Sequence, residues 1–177
     1  MSPRSKTVLV VDDNEGMRDT LTAILKRSYR VLTAETGEEG LADTADVSLD
    51  IRLSDDRPFI EGDVFALSRV YRNLVLNAIE ATAPGGGVNL SVEEQEARVR
   101  ISVRDTGTEI PHHRLENIFE DFETTKRRGL GLAISRKIVD QLGGEITVAS
   151  TLGRGTTFRL EFDRVAASRE VATSAAS

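Results

Sequence analysis

No cysteine occurs in the 177 residues, so disulfides and thiolate metal sites are excluded, and a reducing compartment is permitted. No apolar run approaches the roughly 20 residues that a membrane-spanning helix needs. The opening MSPRSKTVLVV lacks the long apolar core of a signal peptide, which points to a cytoplasmic chain without direct membrane insertion. There is no Lys/Arg-rich run, and the formal net charge is −6, which argues against a nucleic-acid partner. The loop G-x-x-x-x-G-K-[ST] is also missing, so the P-loop nucleotide fold is not indicated. What remains is 29% charged and 39% apolar, the composition of a globular domain with a sizeable core.

The pattern divides near Ala45. Before it, Val8–Val11 reads as a strand, followed by a helix with Met17, Leu21, Ile24 and Leu25 on one face. A second strand, YRVLTA, and a brief helix start, TGEEGLA, complete a segment over residues 1–45. Residues 46–163 then read as one domain. Val47–Leu53 alternates as a strand, and Asp63–Ala83 forms a long helix stopped by Pro84 and three glycines. Val88–Glu93 with Arg98–Arg104 makes a hairpin, and a loop region leads to a helix from about Gly131 to Leu142. Glu145–Ala149 and Thr156–Phe162 form a second hairpin around LGRG. Residues 164–177 are Ala/Ser-rich without periodicity and are expected to be a disordered tail. Strands and helices are segregated rather than strictly alternating, so the expected class is α+β, a two-layer α/β sandwich, not a doubly wound sheet.

Four short elements carry candidate chemistry. Asn73 and Asn77 stand four apart on the long helix and project from one face, beside the core stripe of Leu67, Val70, Leu74 and Ala78. Asn is a poor residue for a helix interior, and a carboxamide oxygen is a neutral, hard ligand suited to a Mg²⁺ that already carries phosphates. A solvated polar edge would look the same. Asp105 ends a strand before Thr-Gly, where its carboxylate is able to accept a hydrogen bond from an exocyclic amine such as adenine's. Gly107 would let the base approach the backbone, although an ordinary Asp-x-Gly turn also fits. Gly129-Leu130-Gly131-Leu132 leads into a helix, a setting that exposes backbone N–H groups and favours phosphate. Thr124, Thr125, Lys126, Arg127 and Arg128 lie just upstream. Gly153 and Gly155 are the least specific, since they also read as a hairpin turn.

In this order, these residues resemble the ATP-binding catalytic domain of histidine kinases, within the wider family that includes gyrase and Hsp90 ATPases. The resemblance covers about residues 46–163. NAIEATAPGG and FEDFETTK look most like the nitrogen-sensing and C4-dicarboxylate-sensing branch. It implies a mixed sheet covered on one face by helices, with ATP held under a mobile lid. By position, Asn77 resembles the Mg²⁺ ligand and Asn73 its companion, Asp105 the adenine-reading aspartate, and Gly107 a member of the same box. Phe119 and Phe122 resemble the lid anchor. Gly129 and Gly131 match the phosphate-facing glycines, with Leu130 and Leu132 between and after them, and Gly153 and Gly155 match the final glycine box. Lys126 resembles a lid lysine near the terminal phosphate, which with Asn73 makes the implied catalytic pair. Residues 6–42 are similar to the first third of a response-regulator receiver, a βαβ fragment with Asp12 and Asp13 at the positions of its acidic Mg²⁺ pair and Asp50 superficially placed as phosphoacceptor.

Three departures qualify what the resemblance implies. Glu109 replaces the second glycine of the adenine loop, placing bulk and negative charge beside the expected nucleotide. Only Arg127 and Arg128 separate Lys126 from Gly129, a short lid. The helical hairpin that carries the phosphoacceptor histidine is missing, and His112 and His113 lie where the family has no acceptor, so autophosphorylation within the chain is not expected. The leading expectation is a two-component phosphotransferase that passes the γ-phosphoryl of ATP·Mg²⁺ to a histidine on another polypeptide, with a phosphoacceptor hairpin protein or response regulator as partner. The alternatives are a non-catalytic nucleotide-binding regulatory module, a phosphoacceptor built on Asp12, Asp13 and Asp50, and a serine-directed kinase of the same superfamily.

Overall fold

A computed structural model describes residues 6–35, 46–53, 58–120 and 128–166, with backbone alone at 128–130. Its strands are β1 (Thr7–Val11), β2 (Arg30–Ala34), β3 (Val47–Arg52), β4 (Gly86–Gln95), β5 (Arg98–Asp105), β6 (Glu145–Thr151) and β7 (Gly155–Asp163). Its helices are α1 (Glu15–Leu25), α2 (Val64–Ala81), the single turn α3 (His112–Leu115) and α4 (Arg128–Gln141). The strands form one seven-stranded sheet in the order β2-β1-β3-β4-β5-β7-β6. β2, β1, β3 and β4 run parallel, while β4–β5, β5–β7 and β7–β6 are antiparallel. The expected mixed α/β sandwich is what forms.

Alternation explains the layering. Val8, Val10, Val47, Leu49, Val88, Ile101, Val103, Phe158 and Leu160 share one sheet face and are buried beneath Leu21 and Leu25 of α1, the Leu67/Val70/Leu74/Ala78 stripe of α2 and Val139 of α4. The opposite face is polar along β5 and β7, where Arg100 Nε donates to Glu161 Oε1 at 2.8 Å across the ladder. Such period-2 patterning commits each strand to a single register, because a one-residue slip would turn the core set outward.

The N-terminal segment is not a separate layer. Val8 to Val11 pair with Val47 to Asp50, so residues before and after position 45 share backbone hydrogen bonds. Lys6 reinforces the join: its Nζ donates to the carbonyls of Ile79 at 3.0 Å and Thr82 at 2.6 Å, capping the C-terminal end of α2. Asn14 caps α1 by accepting from Met17 N, and Asp63 caps α2 by accepting from Phe65 N and Ala66 N. The helix start TGEEGLA lies outside the described residues.

Two boundaries differ from the sequence reading. The first residues of the expected tail make specific contacts: Arg164 N donates to Ala97 O, its guanidinium pairs with Glu94, and Val165 bridges Phe59. These partners lie in the β4–β5 hairpin and in the segment before α2, both distant in sequence, which local composition does not register. α4 begins at Arg128 rather than near Gly131, so Gly129 and Leu130 lie in its first turn. The stretch read as featureless loop also contains α3.

Candidate nucleotide site

A cleft of about 170 Å³ opens between α2, α4 and the β5–β7 end of the sheet. Asn77 and Glu80 line it from α2, Asp105 from the end of β5, Leu132 from α4, and Thr156 and Phe158 from β7. Ile110 and Ile118 close its apolar side. Sequence reasoning missed both isoleucines. Ile118 stands with Leu115, Phe119 and Phe122 at i, i+3, i+4, i+7 spacing, which was a usable signal, whereas Ile110 is isolated among polar residues.

Asp105 is 2% exposed, which is unusual for a carboxylate. Desolvation pushes its pKa above the ordinary aspartate value, and hydrogen bonds from Gly107 N and Thr156 N partly counter that rise. Both bonds reach Oδ1, at 2.8 and 3.3 Å. Among the described residues no hydrogen bond reaches Oδ2, so a ligand donor has an oxygen to meet.

The two asparagines diverge. Asn73 Nδ2 donates to Ser135 Oγ at 3.0 Å, and Ser135 Oγ donates to Gly131 O at 2.8 Å. Asn73 therefore clasps α2 to α4 and faces a different groove from the cleft. Asn77 lines the cleft and makes no hydrogen bond to another described residue. Its carboxamide stands ready for a ligand in a way that Asn73's does not.

Four of the glycines are explained by close packing or by a positive φ. A Cβ at Gly107 would sit 2.4 Å from the Ala81 carbonyl, so this residue lets the loop close on the end of α2, and it is not among the residues lining the cleft. Gly131 lies against Asn73, where a Cβ would come within 2.2 Å of Oδ1. Gly155 has φ +79° and presses on the Asp105 carbonyl at 2.0 Å from an added Cβ, and Gly153 has φ +69° in the turn. All four need glycine or strongly prefer it.

Glu109 does not line the cleft. Its Oε1 accepts from Gly153 N at 3.3 Å, tying the Asp105 loop to the β6–β7 turn. Ser150 Oγ accepts from Ile110 N at 2.9 Å and adds a second tie. The bulk and charge expected beside a nucleotide are thus turned toward the turn's backbone. Phe119 is buried, packs edge-on to Phe158 with centroids 6.4 Å apart, and carries the Arg136 guanidinium 5.6 Å from its ring centre. Phe122, Thr124, Thr125, Lys126 and Arg127 lie outside the described residues, and the side chains of Arg128, Gly129 and Leu130 do as well.

The acidic residues of the N-terminal segment do not assemble. Asp12 is buried and accepts from Asn14 N at 2.7 Å, while Asp13 is exposed. Asp50 lies on the sheet face opposite the core, beside Arg52 and Asn89. Among the described residues no three His, Cys, Asp or Glu side chains form a group able to hold a metal. No described helix is long and apolar enough to cross a membrane.

A mixed sheet roofed by helices, with a buried aspartate facing a helix-borne asparagine across a cleft, defines a nucleotide-binding α/β sandwich. The family model for "Histidine kinase-, DNA gyrase B-, and HSP90-like ATPase" matches residues 62–166, and the chain belongs to that family. Sensor histidine kinase ZraS of Escherichia coli K12 is 41% identical over 121 residues, covering 67% of this chain and 26% of ZraS. Sporulation kinase E of Bacillus subtilis 168 is 34% identical over 143 residues, covering 79% of this chain and 19% of the kinase. The catalytic domain of histidine kinase ThkA superposes with a TM-score of 0.66 at 29% identity, over 84% of this chain and 92% of that domain. Full-length ShkA in complex with AMPPNP gives the same TM-score of 0.66 at 29% identity, over 86% of this chain and 31% of ShkA. The chain thus carries an ATPase domain of the sensor-kinase kind and spans about a quarter or less of these two curated relatives.

Proposed function

We propose that the chain binds ATP·Mg²⁺ in the α2–α4 cleft and passes the γ-phosphoryl group to a histidine supplied by another polypeptide. Asp105 accepts the adenine amine, and Ile110 and Ile118 enclose the base. Asn77 fits the Mg²⁺ that accompanies the phosphates, because its neutral oxygen is unengaged and one protein ligand suffices for an ion held mainly by phosphates and water. That ion would supply charge neutralisation. The first turn of α4, with Gly129 and Gly131, offers backbone N–H groups to the triphosphate. Lys126, from the lid, meets the terminal phosphate, and Asn73 keeps α4 in place from the far side. Catalysis of this kind is mostly positioning and charge stabilisation, which suits a site without a nucleophile of its own. ZraS and ThkA, both histidine kinases, support a histidine as acceptor.

The observation that carries this reading is the pairing of a free Asn77 carboxamide with the buried Asp105 carboxylate across one cleft. Calorimetric ATP titration with and without Mg²⁺, on wild type and Asn77→Ala, tests the binding half. The wild type should gain affinity with Mg²⁺, and the variant should lose that gain, a weakening of about tenfold or more. Radiolabel from γ-labelled ATP should then move to a separately supplied phosphoacceptor hairpin. Tight Mg²⁺-dependent binding with no transfer at any enzyme concentration would overturn the kinase half and leave a nucleotide-binding regulator.

A further inference from the structure

On the far side of the Asn73–Ser135 clasp lies a second, larger groove of about 480 Å³, between α1, α2 and α4. Ile24, Leu76 and Ile134 give it an apolar floor, one residue from each helix. Arg27, Arg69 and Arg72 stand around it. All three are exposed, and none makes an ion pair or side-chain hydrogen bond among the described residues. On α2, Phe65, Arg69, Arg72 and Leu76 follow the spacing of one helical stripe, about 16 Å long at 1.5 Å per residue. Phe65, at the open end of that stripe, is 82% exposed.

We infer that this groove is a docking site for an acidic amphipathic helix of a partner chain. Three exposed guanidinium groups around one groove, meeting no acid among the described residues, are unusual in a chain of net charge −6, where the surplus of acidic groups offers many possible mates. Guanidinium groups match carboxylates by bidentate pairing, so the rim selects glutamates or aspartates spaced one helical turn apart. The floor selects the apolar stripe of the same helix, and a length of about three turns suits the helix-in-groove mode. A nucleic acid fits less well, because its dense charge would face an acidic protein beyond three cations. A membrane fits less well too, since the cationic and apolar groups line a concavity. The nucleotide belongs elsewhere, behind the clasp.

The test uses the full 177-residue chain and a fluorescent 18-residue helical peptide with leucines along one face and glutamates flanking it. Anisotropy should show saturable binding that a scrambled peptide of identical composition loses by about tenfold or more. The triple variant Arg27→Glu/Arg69→Glu/Arg72→Glu should lose the acidic peptide by a similar factor and gain a lysine-for-glutamate version of it. That compensating reversal separates lost recognition from lost folding. Phe65→Ser should weaken the acidic peptide severalfold, and amide shifts should map to α1, α2 and α4. Equal binding of the scrambled peptide, indifference to charge reversal, displacement of the peptide by ATP, or preference of the same arginines for phosphatidylserine vesicles or a DNA duplex would each overturn the assignment.

Discussion

At Asp105 burial and ligand recognition act against each other. The folded protein holds its pKa above the unfolded value, so in that window the folded state binds the proton more readily than the unfolded chain. Asp105's contribution to stability therefore rises as pH falls through the raised folded pKa toward about 4, and is flat outside that interval. ATP affinity should change the other way, because a protonated carboxyl is a poorer acceptor for the adenine amine. Asp105→Asn keeps an oxygen for Gly107 N and Thr156 N, removes the buried charge, and should melt at or above the wild-type temperature at neutral pH while binding ATP more weakly. Thermal melts across pH, with and without ATP, check both trends. An unaltered pH slope in the variant would assign the titration to another group. Gly131→Ala probes the clasp: its Cβ meets Asn73 Oδ1 at 2.2 Å, and relieving that overlap should cost about 1–3 kcal/mol by denaturant unfolding.

Among the elements, α2 shows what a sequence is able to reveal. Its N-cap Asp63, its 3.6-residue apolar stripe and its stop before Pro84 are all local, and all were readable. The two hairpins were readable for the same reason. The separation of Asn73 from Asn77 was not, because it depends on where α4 lands: Ser135 and Gly131 engage one carboxamide and leave the other free. Glu109 is a similar case. Its charge seemed to belong beside the nucleotide until the β6–β7 turn, 44 residues away, provided an N–H for it. The resting place of VLVV was equally hidden, since β3 becomes its neighbour only in the folded sheet. α1 secures that strand, with Leu25 fully buried and Leu21 nearly so. Leu25→Ala should accordingly destabilise the whole sandwich by about 2–5 kcal/mol, with a single cooperative transition in urea. A variant that loses only its N-terminal structure, with ATP binding intact, would contradict that coupling.

On the scale of the whole molecule, the sheet places the cleft and the cationic groove on opposite sides of one helix–helix contact. Asp12 and Asp50 face neither. Asp12 serves a turn, and Asp50 sits on the far face with Arg52 and Asn89. Treatment with a small acyl-phosphate donor should leave Asp50 unmodified, and intact-mass measurement checks this directly. A gain of one phosphoryl mass on Asp50 would restore the reading of a phosphoacceptor built on Asp12, Asp13 and Asp50.

The two halves of the sheet differ in how far the chain travels to close them. β4 meets β5 across a two-residue turn and β6 meets β7 across a three-residue one, whereas β1 must wait for β3 and β3 for β4 on the far side of α2. Loop closure disfavours the distant pairings early, so the hairpins gather first and the parallel edge joins late. In reverse, that edge is where opening begins. Amide exchange should therefore be fastest in β2, intermediate in β1 and slowest in β5 and β7, and bound ATP should slow the latter pair most. The join between β1 and β3 becomes a matter of time: it is a seam that closes late and parts early.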